Sequence, residues 1–260
     1  MQTQNSQSQV SSSNGSEDWR TDSSLPQSVR GGLEQLCDQL EAALGERLIS
    51  IILYGGLAKG EYAPQSSDVN VMLVLTEVTI ETLDKAAAPV RQATRDFGLS
   101  VMVFAEDGLG RSMDIFPIKF LDMQRHHRVL WGKGINLSVA EDHLRLRCKQ
   151  EIKNLSLRLR SSYLQRSAHS ELLEATLTHG ISSFVMGLSA LLFLKTGDTP
   201  TAKRDIAEAA VRELGLEEKP LSDVFALKLG EYKPDALELK RLYGAFMATV
   251  ERAADIADQH

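Results

Sequence analysis

The sequence contains few cysteines, and this limits how its fold can be held together. Among 260 residues only Cys37 and Cys148 are cysteines, and each lies in a stretch with helical apolar spacing. Two isolated thiols do not make a disulfide framework, and neither lies in a zinc-binding spacing. We therefore expect a reduced, buried pair in a cytoplasmic protein.

Excess positive charge and uninterrupted apolar runs are also lacking. The formal net charge is −6 at pH 7, whereas proteins that bind nucleic acid usually carry a basic excess. The richest apolar run, residues 181–194, is broken by serines and a glycine, and the N-terminus lacks the apolar core of a signal peptide. We therefore expect no nucleic-acid partner, no membrane span and no export.

The first residues offer little that a core could bury. Glutamine, serine, asparagine and threonine dominate residues 1–24, and such a composition is typical of a disordered chain. Trp19 is the one large aromatic residue of this stretch. We predict a disordered tail over residues 1–24 with Trp19 exposed to solvent.

Two patterns divide the rest of the chain into two predicted domains. Residues 25–135 alternate helical spacing with short apolar runs, which predicts an α/β (α+β) domain with a mixed sheet. Its predicted strands are residues 48–54, 69–75, 99–104 and 129–132, and a loop is expected around Gly108 and Gly110.

Residues 136–260 show helical spacing only, which predicts an all-α helical bundle domain. Ser138 and Glu141 fit a capping box at the start of its first helix. The stretch from Glu171 to Lys195 is apolar on most sides, as expected for the central helix of a bundle.

A glycine-rich turn between two apolar runs is the most distinctive motif. Gly55 and Gly56 follow the run that ends at Tyr54, and adjacent glycines let the backbone turn sharply and approach a ligand. If a helix opens there, its amides suit an anion such as a triphosphate. Asp68 and Asn70 are two residues apart at the start of the next run, so their side chains should project from one face of the sheet.

This order of strand, glycine pair, short loop, acidic position and second strand resembles the signature of the nucleotidyltransferase superfamily. The superfamily is typified by DNA polymerase beta and the antibiotic adenylyltransferases. The resemblance covers residues 48–75 well, continues weakly to residue 132, and is architectural beyond. It implies a nucleotidyltransferase-like fold that transfers a nucleotidyl group, AMP from ATP, to a hydroxyl of a small molecule or protein.

The resemblance also implies site residues. Asp68 and Asn70 take the catalytic and metal-binding positions, with Mg²⁺ as the implied cofactor. The candidate nucleotide-binding residues are Gly55, Gly56, Lys59, Ser67, Lys149 and Lys203. Lys203 lies in a segment that resembles one whose lysine approaches the nucleotide, and Lys149 lies on the basic side of the first bundle helix. The alternative, which the usual behaviour of charged helix positions favours, is that both are exposed lysines on solvated helix faces.

The acidic set is incomplete. The family pattern has an acid where this chain has Asn70, and a third acid on the strand formed here by residues 99–104, which contains none. Two divalent ions stabilise both ends of the displacement in such transfers, and Mg²⁺ prefers carboxylate oxygens. We therefore predict weak Mg²⁺ binding and slow or lost transfer.

The sequence is also compatible with two other functions. One is a nucleotide-binding or regulatory protein that keeps the fold without catalysis. The other is a partner protein of the toxin–antitoxin type, although those nucleotidyltransferase-like halves are usually shorter than this chain.

Overall fold

A four-stranded sheet lies between helices in the first half of the chain. The computed structural model describes residues 19–62 and 68–259. The elements of this half are α1 (Gln27–Leu44), β1 (Leu48–Tyr54), α2 (Gly56–Lys59), β2 (Val69–Leu75), α3 (Ile80–Phe97), β3 (Leu99–Ala105), α4 (Leu109–Ile115), α5 (Pro117–Arg125) and β4 (His127–Gly132).

The sheet is mixed, with strand order β3-β2-β1-β4. β1 runs antiparallel to β2 and β4, whereas β2 and β3 are parallel and joined by α3. In both β1 and β2 every residue except one is buried. Strands with near-continuous apolar sequences need cover on both faces, and α1 with α3 covers one face while α4 with α5 covers the other.

The second half is entirely helical. Its elements are α6 (Glu141–Arg166), α7 (Ser170–Thr196), α8 (Lys203–Leu214), α9 (Glu218–Lys228) and α10 (Ala236–Gln259). α7 packs against α6, α8, α9 and α10, so it is the central helix of the bundle. The predicted α/β (α+β) fold with a mixed sheet followed by a helical bundle is confirmed.

By length and composition alone, α7 is long and apolar enough to cross a membrane. From the sequence we expected no segment of this kind. Its most apolar window is 56% buried inside the protein. The apolar residues Leu177, Phe184 and Leu191 are among those that other helices cover. The composition of a central bundle helix accounts for this signal.

Both cysteines are free and buried, as predicted. Burial raises the pKa of Cys37 and that of Cys148 to about 12, so both remain protonated thiols near neutral pH. The Cys148 thiol donates a hydrogen bond to the carbonyl of Gly187 on α7 at 3.4 Å. Cys37 packs in the core of the first half and Cys148 in the core of the second half, and neither has the character of a reactive thiol.

The prediction that Trp19 is exposed was wrong. Its side chain is 5% exposed, and its indole Nε1 donates a hydrogen bond to the Leu130 carbonyl at 2.9 Å. Trp19 starts a single 3₁₀ turn that ends at Thr21, so the ordered chain begins before residue 25. The rest of the predicted tail, residues 1–18, lies outside the described residues.

Three local predictions also need correction. The segment around Gly108 and Gly110 is mostly helical, because it continues from a 3₁₀ turn into α4. No capping box forms before α6, whose N-cap is Ala140 without a side-chain hydrogen bond. α8 begins at Lys203, after Pro200 rather than at it.

Replacing Trp19 with phenylalanine should lower the free energy of unfolding by about 2–3 kcal/mol. The substitution leaves the buried Leu130 carbonyl without its donor and opens space in the core. Urea denaturation followed by far-UV circular dichroism measures the change. A loss below about 0.5 kcal/mol, the usual range of a surface substitution, would mean that this side chain is not held in the core.

Candidate functional site

The glycine turn lies where β1 ends, against the start of β2. Gly55 has φ +77°, a conformation that side chains rarely adopt. A Cβ placed on Gly55 would lie 3.1 Å from Nδ2 of Asn70, so the turn and the asparagine pack directly together. The backbone can approach Asn70 this closely because residue 55 has no side chain.

One helical turn, α2, follows the glycine and ends with Lys59. The Lys59 ammonium forms an ion pair with the Asp122 carboxylate of α5 at 2.5 Å, and its side chain is only 16% exposed. This pair joins the glycine turn to α5. Any phosphate near Lys59 must therefore share the lysine with Asp122. Gly56, the other predicted backbone contact, is the first residue of α2 and half-buried.

Asp68 and Asn70 are placed side by side at the start of β2. Asp68 is exposed, and Asn70 donates a hydrogen bond from Nδ2 to the Asp68 backbone carbonyl at 3.2 Å. In the sheet Asn70 pairs with Tyr54 of β1 and with Ser100 of β3. The side chains that meet on this face are thus an amide, a phenol and a hydroxyl beside one carboxylate. Ser67, the neighbouring predicted residue, lies outside the described residues.

The strand β3 does not supply a further carboxylate to this position. β3 runs parallel to β2, so Glu106 and Asp107, which follow its other end, lie about 20 Å from Ser100 along the strand. Glu106 forms an ion pair with Lys133 there. Among the described residues no group of three His, Cys, Asp or Glu side chains could hold a metal ion. Asp68 and Asn70 alone do not fit a two-metal centre.

A cleft of about 190 Å³ opens between α5, α6 and α7. Lys119 connects this cleft with the end of β1, because it lines the cleft and its Nζ lies 5.8 Å from the centre of the Tyr54 ring. The other lining residues are Phe116, Ile118, Arg147, Glu151, Ser183, Met186 and Gly187. Arg147 and Glu151 form an ion pair at 2.6 Å. Sequence reasoning missed Lys119 and Arg147, which no motif marks.

The end of α5 is tied to the loop between α7 and α8. The Arg125 guanidinium pairs with Asp198 at 2.5 Å and lowers the pKa of its carboxyl through this hydrogen bond. His126 and Thr201 share a hydrogen bond at 3.1 Å. The pKa of His126 is lowered chiefly by burial, and the positive charge of Lys59 adds to the shift. These contacts bring the segment before Lys203 to the end of α5 that Lys59 also contacts.

Lys203 is the first residue of α8 and is exposed. It lies near Lys228 of α9, and burial followed by the charge of Lys203 lowers the pKa of Lys228. Lys228 donates a hydrogen bond to the Ser182 hydroxyl of α7. Neither lysine forms an ion pair within the described residues. Lys228 was not predicted, because only the packing of α9 brings it near α8.

The structure places Lys149 elsewhere. Its Nζ donates to the Asp258 carbonyl at the end of α10, at 3.4 Å. Lys149 is two residues from Arg147, which lines the cleft, so the two side chains leave α6 in nearly opposite directions. The predicted residues brought together are thus Gly55, Gly56, Lys59, Asp68 and Asn70. Lys203 lies two residues after Thr201, which contacts His126 at the end of α5.

No protein-family model matches the sequence, and no curated protein matches it. Among solved structures the chain is similar to the spectinomycin adenyltransferase AAD(9) from Enterococcus faecialis, a crystal structure with ATP and spectinomycin. The TM-score is 0.49 at 12% identity, over 83% of this chain and 98% of that chain.

Proposed function

We propose that this protein binds a nucleoside triphosphate, ATP in the simplest case, beside the glycine turn. We further propose that it transfers AMP to a hydroxyl acceptor far more slowly than an enzyme with a full acidic set. The observation that carries the proposal is the arrangement around Asp68. The glycine turn, Asp68 and Asn70 lie together, whereas Asn70 and Ser100 stand where carboxylates would be needed.

Binding of the triphosphate is supported by nearby cations and by the backbone. The Gly55 turn allows close approach of a phosphate, and Lys119 lies over the adjoining Tyr54 ring. Lys203 and Lys228 would offset part of the triphosphate charge through charge-assisted hydrogen bonds. These groups do not depend on a metal ion, so nucleotide affinity should survive its removal.

Transfer, where it occurs, forms a bond between the acceptor oxygen and the α-phosphorus and breaks the bond to the leaving pyrophosphate. The acceptor hydroxyl proton needs a base, and we assign this role to the exposed carboxylate of Asp68. Within residues 19–62 and 68–259 no group of three acidic, histidine or cysteine side chains could hold the metal ions that stabilise such a transfer. A slow reaction follows, because the charge that develops in the transition state is poorly stabilised.

A regulatory nucleotide-binding protein without catalysis is the second candidate. The hydrogen bond from Asn70 to the Asp68 carbonyl favours it, because this bond stabilises the strand start without any ligand. A sensor of this kind would bind ATP in the same place and release it unchanged. The two candidates therefore differ in turnover and not in the binding site.

Titration calorimetry of ATP with and without Mg²⁺ tests the proposal. We expect the dissociation constant to change by less than about threefold when Mg²⁺ is removed, because cations and amides carry the binding. The variant Asn70→Asp adds a second carboxylate beside Asp68 and should make ATP binding about tenfold tighter with Mg²⁺ than without it, equivalent to about 1.4 kcal/mol.

Incorporation of α-labelled ATP into a panel of hydroxyl acceptors then separates the two candidates. Slow incorporation of the label that is abolished in the Asp68→Ala variant would support transfer. The absence of any incorporation would support the nucleotide-binding protein without catalysis. Rapid, strictly Mg²⁺-dependent turnover by the unmodified chain would contradict the proposal. So would the absence of ATP binding under both conditions.

A further inference from the structure

A second concave surface lies between α6 and α7, and basic and hydroxyl side chains line both its walls. The groove has a volume of about 280 Å³. On the α6 side Arg158, Ser162 and Arg166 follow one another at intervals of four residues. This spacing places the three side chains along one stripe of the helix, which faces α7.

The α7 wall carries a matching stripe of Thr176, His179 and Ser183. His179 donates from Nδ1 to the Ala175 carbonyl at 2.6 Å, if this nitrogen carries the proton. That bond fixes the ring and leaves Nε2 as the nitrogen that can meet a ligand. Arg166 donates to the Thr176 hydroxyl at 3.4 Å, so the two walls already touch at one end.

The charge of the groove is opposite to that of the whole chain. Its ionisable lining residues are Arg158, Arg166 and His179, and no acidic residue of the described part lines it. The chain as a whole carries a net charge of −6. A concave cationic surface with an apolar floor, here Leu155 and Leu159, raises the local concentration of small anions.

Other arginines of the same helix are neutralised by carboxylates, and those of the groove are not. Arg147 pairs with Glu151, and Arg160 pairs with Glu251 of α10 at 2.8 Å. Within the described residues Arg158 and Arg166 form no ion pair. A guanidinium presents a planar set of donors that matches phosphate and carboxylate oxygens, so two such groups along one wall favour a doubly charged ligand.

We propose that the groove between α6 and α7 binds a small molecule that carries a dianionic phosphate monoester. Arg158 and Arg166 hold the phosphate, His179 and the hydroxyls orient it, and the leucines contact its carbon chain. Ser183 lines both this groove and the cleft between α5, α6 and α7, so the two spaces adjoin each other at this residue. A ligand of this kind that extends a hydroxyl into the cleft is the acceptor of the transfer; this last step rests on the proposed function.

The acceptor class follows from the charge of the lining. A polycationic acceptor would meet Arg158, Arg166 and Lys119 and would be repelled, whereas a phosphorylated polyol would be attracted. In the transfer its hydroxyl oxygen forms the bond to the α-phosphorus, pyrophosphate leaves, and the hydroxyl proton passes to Asp68.

Titration calorimetry with glycerol 3-phosphate and with glycerol tests the site, because the two probes differ only in the phosphate. We expect measurable binding of glycerol 3-phosphate and at least tenfold weaker binding of glycerol. The double variant Arg158→Gln/Arg166→Gln should weaken binding of glycerol 3-phosphate at least tenfold. The matched double variant Arg241→Gln/Arg252→Gln, on the exposed side of α10, should bind it as the unmodified chain does.

Equal binding of the two probes would overturn the proposal, and so would an equal loss of affinity in both double variants. ATP binding is measured on the same samples. If glycerol 3-phosphate binds and ATP does not, the groove stands and the proposed function fails. If ATP binds and glycerol 3-phosphate does not, the groove proposal alone fails.

Discussion

Replacing Gly132 with alanine should destabilise the protein more than the same substitution at any other glycine of the described residues. Gly132 has φ +80°, and a Cβ there would lie 2.2 Å from the backbone carbonyl oxygen of Ile49. Because the obstacle is backbone of β1, it cannot rotate away as a side chain would. We expect a loss of at least about 3 kcal/mol, which corresponds to a melting temperature lower by about 10 °C in a chain of this size.

Gly134 provides a matched control two residues away. A Cβ on Gly134 would have no heavy atom within 4 Å, and its backbone is not in the positive-φ region. The variant Gly134→Ala should melt within about 2 °C of the unmodified chain, as expected of a neutral surface substitution. Differential scanning calorimetry compares the two variants. Similar melting temperatures for both would mean that β4 does not pair with β1 as described.

Removing the positive charges of Lys203 and Lys228 should have the largest effect on nucleotide binding. Lys203 and Lys228 lie close enough for one charge to lower the pKa of the other, and a triphosphate between them would relieve this repulsion. The double variant Lys203→Gln/Lys228→Gln should therefore bind ATP roughly 10- to 100-fold more weakly, because two charge-assisted hydrogen bonds are lost at a partly exposed site. Calorimetry or fluorescence titration measures the change.

The double variant Lys153→Gln/Lys240→Gln removes the same charge from exposed positions on α6 and α10. It should bind ATP as the unmodified chain does. Repeating the titration at higher ionic strength should reduce the difference between the variants, since salt screens exposed charges. An unchanged ATP affinity in the Lys203 and Lys228 variant would show that these lysines belong to a solvated face.

The strands and the bundle could be predicted because each depends on local pattern. The seven-residue runs of β1 and β2 are apolar at almost every position, as strands covered on both faces must be. The buried stripe of α6, which includes Leu144, Cys148 and Ile152, also follows directly from helical spacing. The placement of Asp68 and Asn70 beside Gly55 follows from strand, turn and strand in succession.

What the sequence could not predict depends on contacts between distant segments. Trp19 is buried because a carbonyl 111 residues away accepts its indole hydrogen bond. Lys59 meets Asp122 only because α5 packs beside the glycine turn. The stripe of Arg158 and Arg166 was not singled out, because a polar stripe on one helix is typical of a solvated face and the opposing stripe of α7 is known only from the packing.

The helix α5 belongs to both halves of the molecule. Phe120 and Met123 face the core beneath the sheet, whereas Leu121 is part of the core of the helical bundle. One turn of a single rigid helix thus serves as the joint between the two predicted domains. A hinge motion that separated the two halves would have to remove this helix from one of the two hydrophobic cores. We therefore expect ligands to enter when side chains at the mouth of the cleft rearrange, and not through an opening of the two halves. For the same reason, cutting the gene at the end of the sheet would yield a fragment with an unsatisfied apolar face and not a working module.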